Sequence, residues 1–255
     1  MIGAIAGDIV GSPYEWHPHK SVDFPLLLPR SCFTDDTVLT IATARAILSG
    51  ESYGKAYLEL ARRYPRAGYG GGFKSWLALD EPHPYGSFGN GSAMRVSPVG
   101  LAFDTVERVL AEAEKSAAVT HDHPEGIKGA QAVALAVFRA RHRTPKAAIR
   151  TELETRFGYD LSRTIDAIRP GYTFDPTCQG SVPEALIAFL EATSTESAIR
   201  LAVSLGGDAD TLAAMAGSVA EPFHRDLSEE FVTSVRALLP VEFLEVIDAF
   251  ERAYP

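Results

Sequence analysis

Apolar and alanine-rich segments recur along this chain at the spacing of an α-helix, and almost nothing in it alternates with the period of a β-strand. Helical spacing covers Val38 to Leu48, Ala56 to Arg63, Val106 to Ala118, Gly129 to Arg141 and Val182 to Ala192. It returns over Ser197 to Leu205, Thr211 to Ala220, Ser228 to Leu238 and Pro240 to Ala253. Segments of this kind can bury their apolar stripes only against one another, so the expected fold is all-α. Ser228 reads as an N-cap followed by acids in the first turn, and Pro240 as the first residue of the last helix. No repeat of solenoid length is present, so a helical repeat array is not expected.

At 255 residues, with no stretch polar enough to be a linker, the chain is expected to form one domain over 1–255. Met1 to Asp8 lacks a basic start, and Asp8 interrupts its apolar run early. The expectation is therefore a cytoplasmic protein without a membrane segment. Cys32 and Cys178 have no metal-finger spacing and are expected as reduced thiols. A formal charge of −9 argues against an extensive nucleic-acid surface and suits cation binding. A monomer is expected.

Two acidic clusters stand far apart in the chain, each at a helix start: Phe33-Thr34-Asp35-Asp36-Thr37 and Gly206-Gly207-Asp208-Ala209-Asp210-Thr211. Acids and threonines at such places cap helices and offset the macrodipole. Capping needs one side chain per helix, however, and these clusters offer several hard oxygen donors of the type that Mg²⁺, Mn²⁺ or Ca²⁺ prefers. Repulsion among four carboxylates would be costly without cations between them. The arrangement predicts that the two helix starts meet and share a pair of ions.

Tyr85-Gly-Ser-Phe88-Gly89-Asn90-Gly91-Ser92-Ala93-Met94-Arg95 reads as a tight loop entering a short helix, whose exposed N–H groups suit a phosphate. A buried ion pair is one expectation for Arg95. Tyr85 or Phe88 offers an aromatic face to a planar base. His121-Asp122-His123 and His17-Pro18-His19 leave a rival reading open, a histidine-bound metal in a phosphohydrolase of the HD type; contact of His121 with substrate is the alternative. Asp8 is expected to satisfy buried backbone donors near a helix end. Glu15, in a Pro-flanked loop, is a candidate ligand, base or lid.

Taken in order, Gly3 to Glu15, Phe33 to Thr37, Gly89 to Val96, Thr120 to Gly126 and Gly206 to Gly217 resemble the ADP-ribosylglycohydrolase family. The likeness spans nearly the whole chain, with a local departure at Ala220-Glu221-Pro222-Phe223-His224. It implies a compact all-α fold, a single-domain orthogonal helical bundle, holding two divalent cations, Mg²⁺ or Mn²⁺. By position Thr34, Asp35 and Asp36 would serve one ion, Asp208 and Thr211 the other, with Asp210 bridging. Glu15 matches a mobile glutamate that approaches the metals and activates water, so Glu15, Asp35, Asp36 and Asp210 are the expected catalytic residues. Gly89, Asn90, Gly91 and Ser92 match a loop that holds the diphosphate and distal ribose, with His121 beside it. The implied reaction releases ADP-ribose from an ADP-ribosylated protein or small molecule. Non-catalytic binding of ADP-ribose is the alternative outside enzymology.

Overall fold

In the computed structural model, which describes Met1 to Pro255, every regular element is a helix. One isolated bridge, between Gly89 and Thr177, is the whole of the β-structure. The amino-terminal half runs through α1 (Ile2–Gly11), a 3-10 turn (Ser12–Tyr14), α2 (Asp35–Ser49), α3 (Tyr53–Arg63) and α4 (Gly71–Leu77). It continues through α5 (Gly91–Met94), α6 (Ser97–Ala102), α7 (Val106–Ala118) and α8 (Pro124–Arg141). The remainder comprises α9 (Lys146–Phe157), α10 (Ile165–Ile168), α11 (Cys178–Glu191), α12 (Thr195–Val203), α13 (Ala209–His224), α14 (Glu229–Arg236) and α15 (Val241–Ala253).

All nine segments with helical spacing are helices, with ends moved by a few residues. Helix α2 starts three residues earlier than its apolar pattern because Thr34 caps it and Asp35 and Asp36 occupy the first turn, where carboxylates oppose the dipole. Ser228 caps α14 through Phe231 N–H, as expected. Pro240 is the N-cap of α15 and not its first residue, an extended position that proline adopts readily. Helix α13 runs on to His224 with Pro222 inside it, beyond the expected stop at Ala220, and ends at Arg225 in the left-handed region.

Helices α1 and α13 form the centre of the bundle. Every residue of α1 is buried. Its glycines face the α13 backbone so closely that a Cβ on Gly3 would lie 2.3 Å from Gly217 O, and one on Gly7 only 2.1 Å from Ala213 O. A Cβ on Gly11 would lie 2.4 Å from Ala209 O. Three glycines weaken an isolated helix by about 1 kcal/mol each. Here they permit backbone contact and set Asp8, on α1, beside the first turns of α2 and α13. No helix is long and apolar enough to cross a membrane.

Candidate active site

The acidic clusters meet, as their sequence predicts. Carboxylate oxygens of Asp8, Asp36 and Asp210 lie within 4.8 Å of one another, and so do those of Glu15, Asp208 and Asp210. Asp210 belongs to both groups. Four pieces of chain supply these side chains: α1, the turn after it, the start of α2 and the start of α13. All of these acids but Asp8 line a cavity of about 470 Å³ whose other walls include Asp35, Tyr69, Tyr85, Gly89, Asn90, Gly91, Arg95, His121 and Thr211.

Local hydrogen bonds position the acids. Asp8 is fully buried and takes the orphan donors of the α2 start: Oδ2 accepts from Thr34 N–H at 2.9 Å, from Thr37 N–H at 3.1 Å and from Thr37 Oγ1. Its Oδ1 accepts from Thr34 Oγ1 at 2.7 Å. This is the expected role for Asp8, and the helix end it satisfies is the start of α2. Thr211 Oγ1 donates to Asp36 Oδ2 at 3.1 Å, joining the two clusters, while Asn90 Nδ2 donates to Asp208 Oδ2 at 2.7 Å. Asp36 Oδ1 is buried without any partner.

Burial is the largest cause of raised proton affinity at every one of these acids, and mutual repulsion adds to it at most. Asp8 rises to about 6, Glu15 to about 7 and Asp35 to about 8. Asp36 and Asp210 are pushed well above the carboxylate range, and Asp208 is raised too. A set of crowded oxygens, one of them orphaned, is what a hard divalent cation relieves, so the donor set fits such ions.

The glycine loop is pinned from both sides. Asn90 N–H donates to Pro176 O at 2.8 Å and Cys178 N–H to Phe88 O at 2.9 Å, which ties the loop to the start of α11. Gly89, Asn90 and Gly91 reach the cavity. Ser92 is fully buried and its hydroxyl donates to Gly126 O at 2.7 Å, so that side chain holds α8 and does not line the cavity. Phe88 also lies outside the lining, its ring 5.2 Å from that of His123, whereas Tyr85 lines it. Thr34 reaches Asp8 and Asp36 but is likewise not a wall residue.

Histidine groupings do not support a histidine-bound metal, since both sets of potential ligands contain carboxylates alone. His17 is exposed, His19 Nε2 sits 3.3 Å from Asp23 O, and His123 caps α8 by accepting from Glu125 N–H. His121 is a cavity residue, and its proton affinity is held well below the usual range by burial and by the Arg95 charge. Arg95 is buried but has no ion pair; it donates to Ser116 O and Thr120 Oγ1, under the ring of Tyr57. Both cysteines are free, and burial pushes the Cys178 thiol up to about 12, which leaves it inert. Sequence reasoning missed Tyr69, whose buried hydroxyl has no partner, and the stacked pair Trp16 and Phe174 at the cavity, 5.8 Å apart. No periodicity marks residues that enter from loops.

Fold and site together define a helical enzyme with a carboxylate-rich centre beside a glycine loop. Comparison with known proteins narrows this class. A family model, ADP-ribosylglycohydrolase, matches residues 1–220, and the chain belongs to that family. ADP-ribosylhydrolase ARH3 of Bos taurus is 28% identical over 310 aligned positions, covering 88% of this chain and 83% of that protein. ARH3 of Homo sapiens is 27% identical over 310 positions, covering 88% and 84%. A solved ADP-ribosylglycohydrolase-related protein complex superposes with a TM-score of 0.76 at 26% identity, over 100% of this chain and 97% of that one. The protein is accordingly a glycohydrolase.

Proposed function

We propose that this protein hydrolyses the bond at the anomeric carbon of ADP-ribose attached to a protein side chain or a small molecule, releasing ADP-ribose, with two divalent cations, Mg²⁺ or Mn²⁺. The observation that carries this reading is that Asp210 is common to both carboxylate groups, in the same cavity as the glycine loop and His121. Thr34, Asp35 and Asp36 would hold one ion, Asp208 and Thr211 the other, with Asp210 between them. When bound, the ions supply positive charge and Lewis acidity, which stabilise a sugar developing oxocarbenium character.

Glu15, or one of the aspartates, would take the proton of the attacking water, and two features favour Glu15. It is half-buried, close to Asp208 and Asp210, and its proton affinity lies near neutrality, where a general base works best. The Gly89–Gly91 backbone and neutral His121 receive the diphosphate and distal ribose. Tyr85, at the cavity wall, is the aromatic face offered to adenine. The phosphohydrolase alternative finds no histidine ligand set. Cytoplasmic location and a monomeric state accord with this activity.

The test is product analysis by mass spectrometry on ADP-ribosylated arginine, serine, nucleic-acid ends and small molecules, with and without chelator. Intact ADP-ribose released only when metal is present is the expected result. AMP as product would overturn glycohydrolysis, turnover in chelator would overturn metal dependence, and ADP-ribose binding with no turnover on any member would make the protein a reader.

A further inference from the structure

Arg95, Thr120 and His121 form a buried hydrogen-bonded chain that ends at the cavity beside the glycine loop. Arg95 and Thr120 have no exposed surface at all. Arg95 Nη2 donates to Thr120 Oγ1 at 3.0 Å, and Thr120 Oγ1 lies 2.7 Å from His121 Nδ1. Arg95 Nε and Nη1 meet no acceptor, so the only side chain it touches through a hydrogen bond is Thr120.

Proton bookkeeping then decides the state of the imidazole. A hydroxyl has one proton to donate and two lone pairs to accept with, whereas a guanidinium only donates. Arg95 therefore occupies a lone pair of Thr120 and cannot take its proton. Thr120 is closed to water, and the one remaining atom within reach of its hydroxyl is His121 Nδ1. If the hydroxyl donates there, Nδ1 is bare and the ring proton sits on Nε2. The reverse arrangement would leave the buried hydroxyl proton with no acceptor.

The Nε2 edge faces open space that two glycines preserve. A Cβ on Gly91 would come within 3.3 Å of Nε2, and one on Gly89 within 3.6 Å. The only hydrogen bond of this ring is the one Nδ1 accepts from Thr120, so Nε2 is free for a ligand.

We propose that Arg95 and Thr120 are positioning residues that lock His121 in its neutral Nε2–H form and aim that proton into the cavity as a donor to a ligand oxygen. The tautomer follows from this chain's own geometry, and only the identity of the acceptor, a phosphate or ribose oxygen, rests on the ADP-ribose reading above. A fixed neutral donor recognises oxygen without bringing a second cation to a wall already backed by Arg95.

Nitrogen-15 two-bond correlation spectra of the histidine rings, taken on the metal-free protein at neutral pH, read the tautomer directly. The wild type and Thr120→Ser should both show His121 protonated at Nε2 and bare at Nδ1. Thr120→Val, which keeps the shape and removes the hydroxyl, should give mixed tautomers and an ADP-ribose Kd raised about tenfold, the worth of one hydrogen bond. A wild-type ring protonated at Nδ1 would overturn the proposal, as would a Thr120→Val protein with unchanged tautomer and unchanged Kd. Should Thr120→Val fail to fold, the wild-type and Thr120→Ser spectra still decide. Failure of the wild type to bind ADP-ribose would remove the functional reading and leave the tautomer to the same spectra.

Discussion

Gly7→Ala is the substitution whose outcome the structure fixes most tightly. The added Cβ would lie 2.1 Å from Ala213 O, 2.3 Å from Ala213 C and 2.6 Å from Ala214 N, all backbone atoms of α13. Ordinary contact begins near 3.4 Å, so the two helices must part by about 1 Å, and no side-chain rotation can absorb it. Overpacking of this kind costs about 1–3 kcal/mol and sometimes more, and backbone against backbone belongs at the upper end. Alanine returns about 1 kcal/mol of helix propensity, leaving a net loss of about 2 kcal/mol. For a chain of this size that lowers Tm by about 4–8 °C. Gly54→Ala on α3 is the matched control, because its Cβ would meet only Val119 Cγ1, at 3.4 Å. That variant should melt at or slightly above the wild-type temperature. Scanning calorimetry of the three proteins in chelator makes the comparison. A Gly7→Ala protein melting within 1–2 °C of wild type, by the roughly 2–4 °C per kcal/mol that applies here, would refute the close-contact argument.

Divalent metal should raise Tm with the logarithm of its concentration once that exceeds Kd, by about 2.7 kcal/mol of stability at a hundred times Kd, and Asp36→Asn should lose most of that increment; calorimetry with graded Mg²⁺ or Mn²⁺ checks it, and an undiminished increment in the variant would remove Asp36 from the ligand set. The metal-free protein should be least stable at high pH. Asp8, Glu15 and Asp35 hold their protons to about 6, 7 and 8 when folded, above the value of about 4 in an unfolded chain, so the folded state binds the extra protons. Their stabilising contribution is complete below about pH 4 and is lost as pH climbs through about 6 to 8. In chelator, Tm should therefore fall over that interval, and saturating metal should flatten the slope; a Tm that rises instead would contradict it. Tyr85→Ala should weaken ADP-ribose binding by about 5- to 30-fold while Phe88→Ala changes it little, because only Tyr85 lines the cavity. Titration calorimetry separates the two, and equal losses would return Phe88 to the site.

Much of the helical scaffold was legible because apolar spacing reports burial, and nine helices were read that way. The helices that escaped have specific reasons. In α9 only Ile149 and Leu153 are buried, too few apolar positions to make a stripe. Helix α1 has the opposite fault: it is buried on every side, so its residues show no polar face from which a period could be read. The meeting of the acidic clusters was legible because each carries more oxygen donors than a helix cap uses. Positions that depend on tertiary neighbours were not. Nothing local tells Phe88 from Tyr85, or shows that the Ser92 hydroxyl turns toward Gly126, or that Arg95 is buried without an acid beside it.

The same reasoning explains why the glycines of α1 belong to the site although none of them touches the cavity. Carboxylates that burial and mutual repulsion push toward protonation would spread apart if the scaffold allowed it. Two features prevent this. Asp8 is locked to α2 through bonds from Thr34 and Thr37, and α1 is locked to α13 at backbone distance by Gly3, Gly7 and Gly11. The first fixes Asp8 against Asp36, and the second fixes Asp8 against Asp210. Side chains from helices more than 170 residues apart in sequence, such as Asp36 and the Thr211 that donates to it, are thereby held near one another without an ion. Cations would bind such a site without its first having to assemble, at the cost of a metal-free state whose crowded carboxyls must hold protons instead.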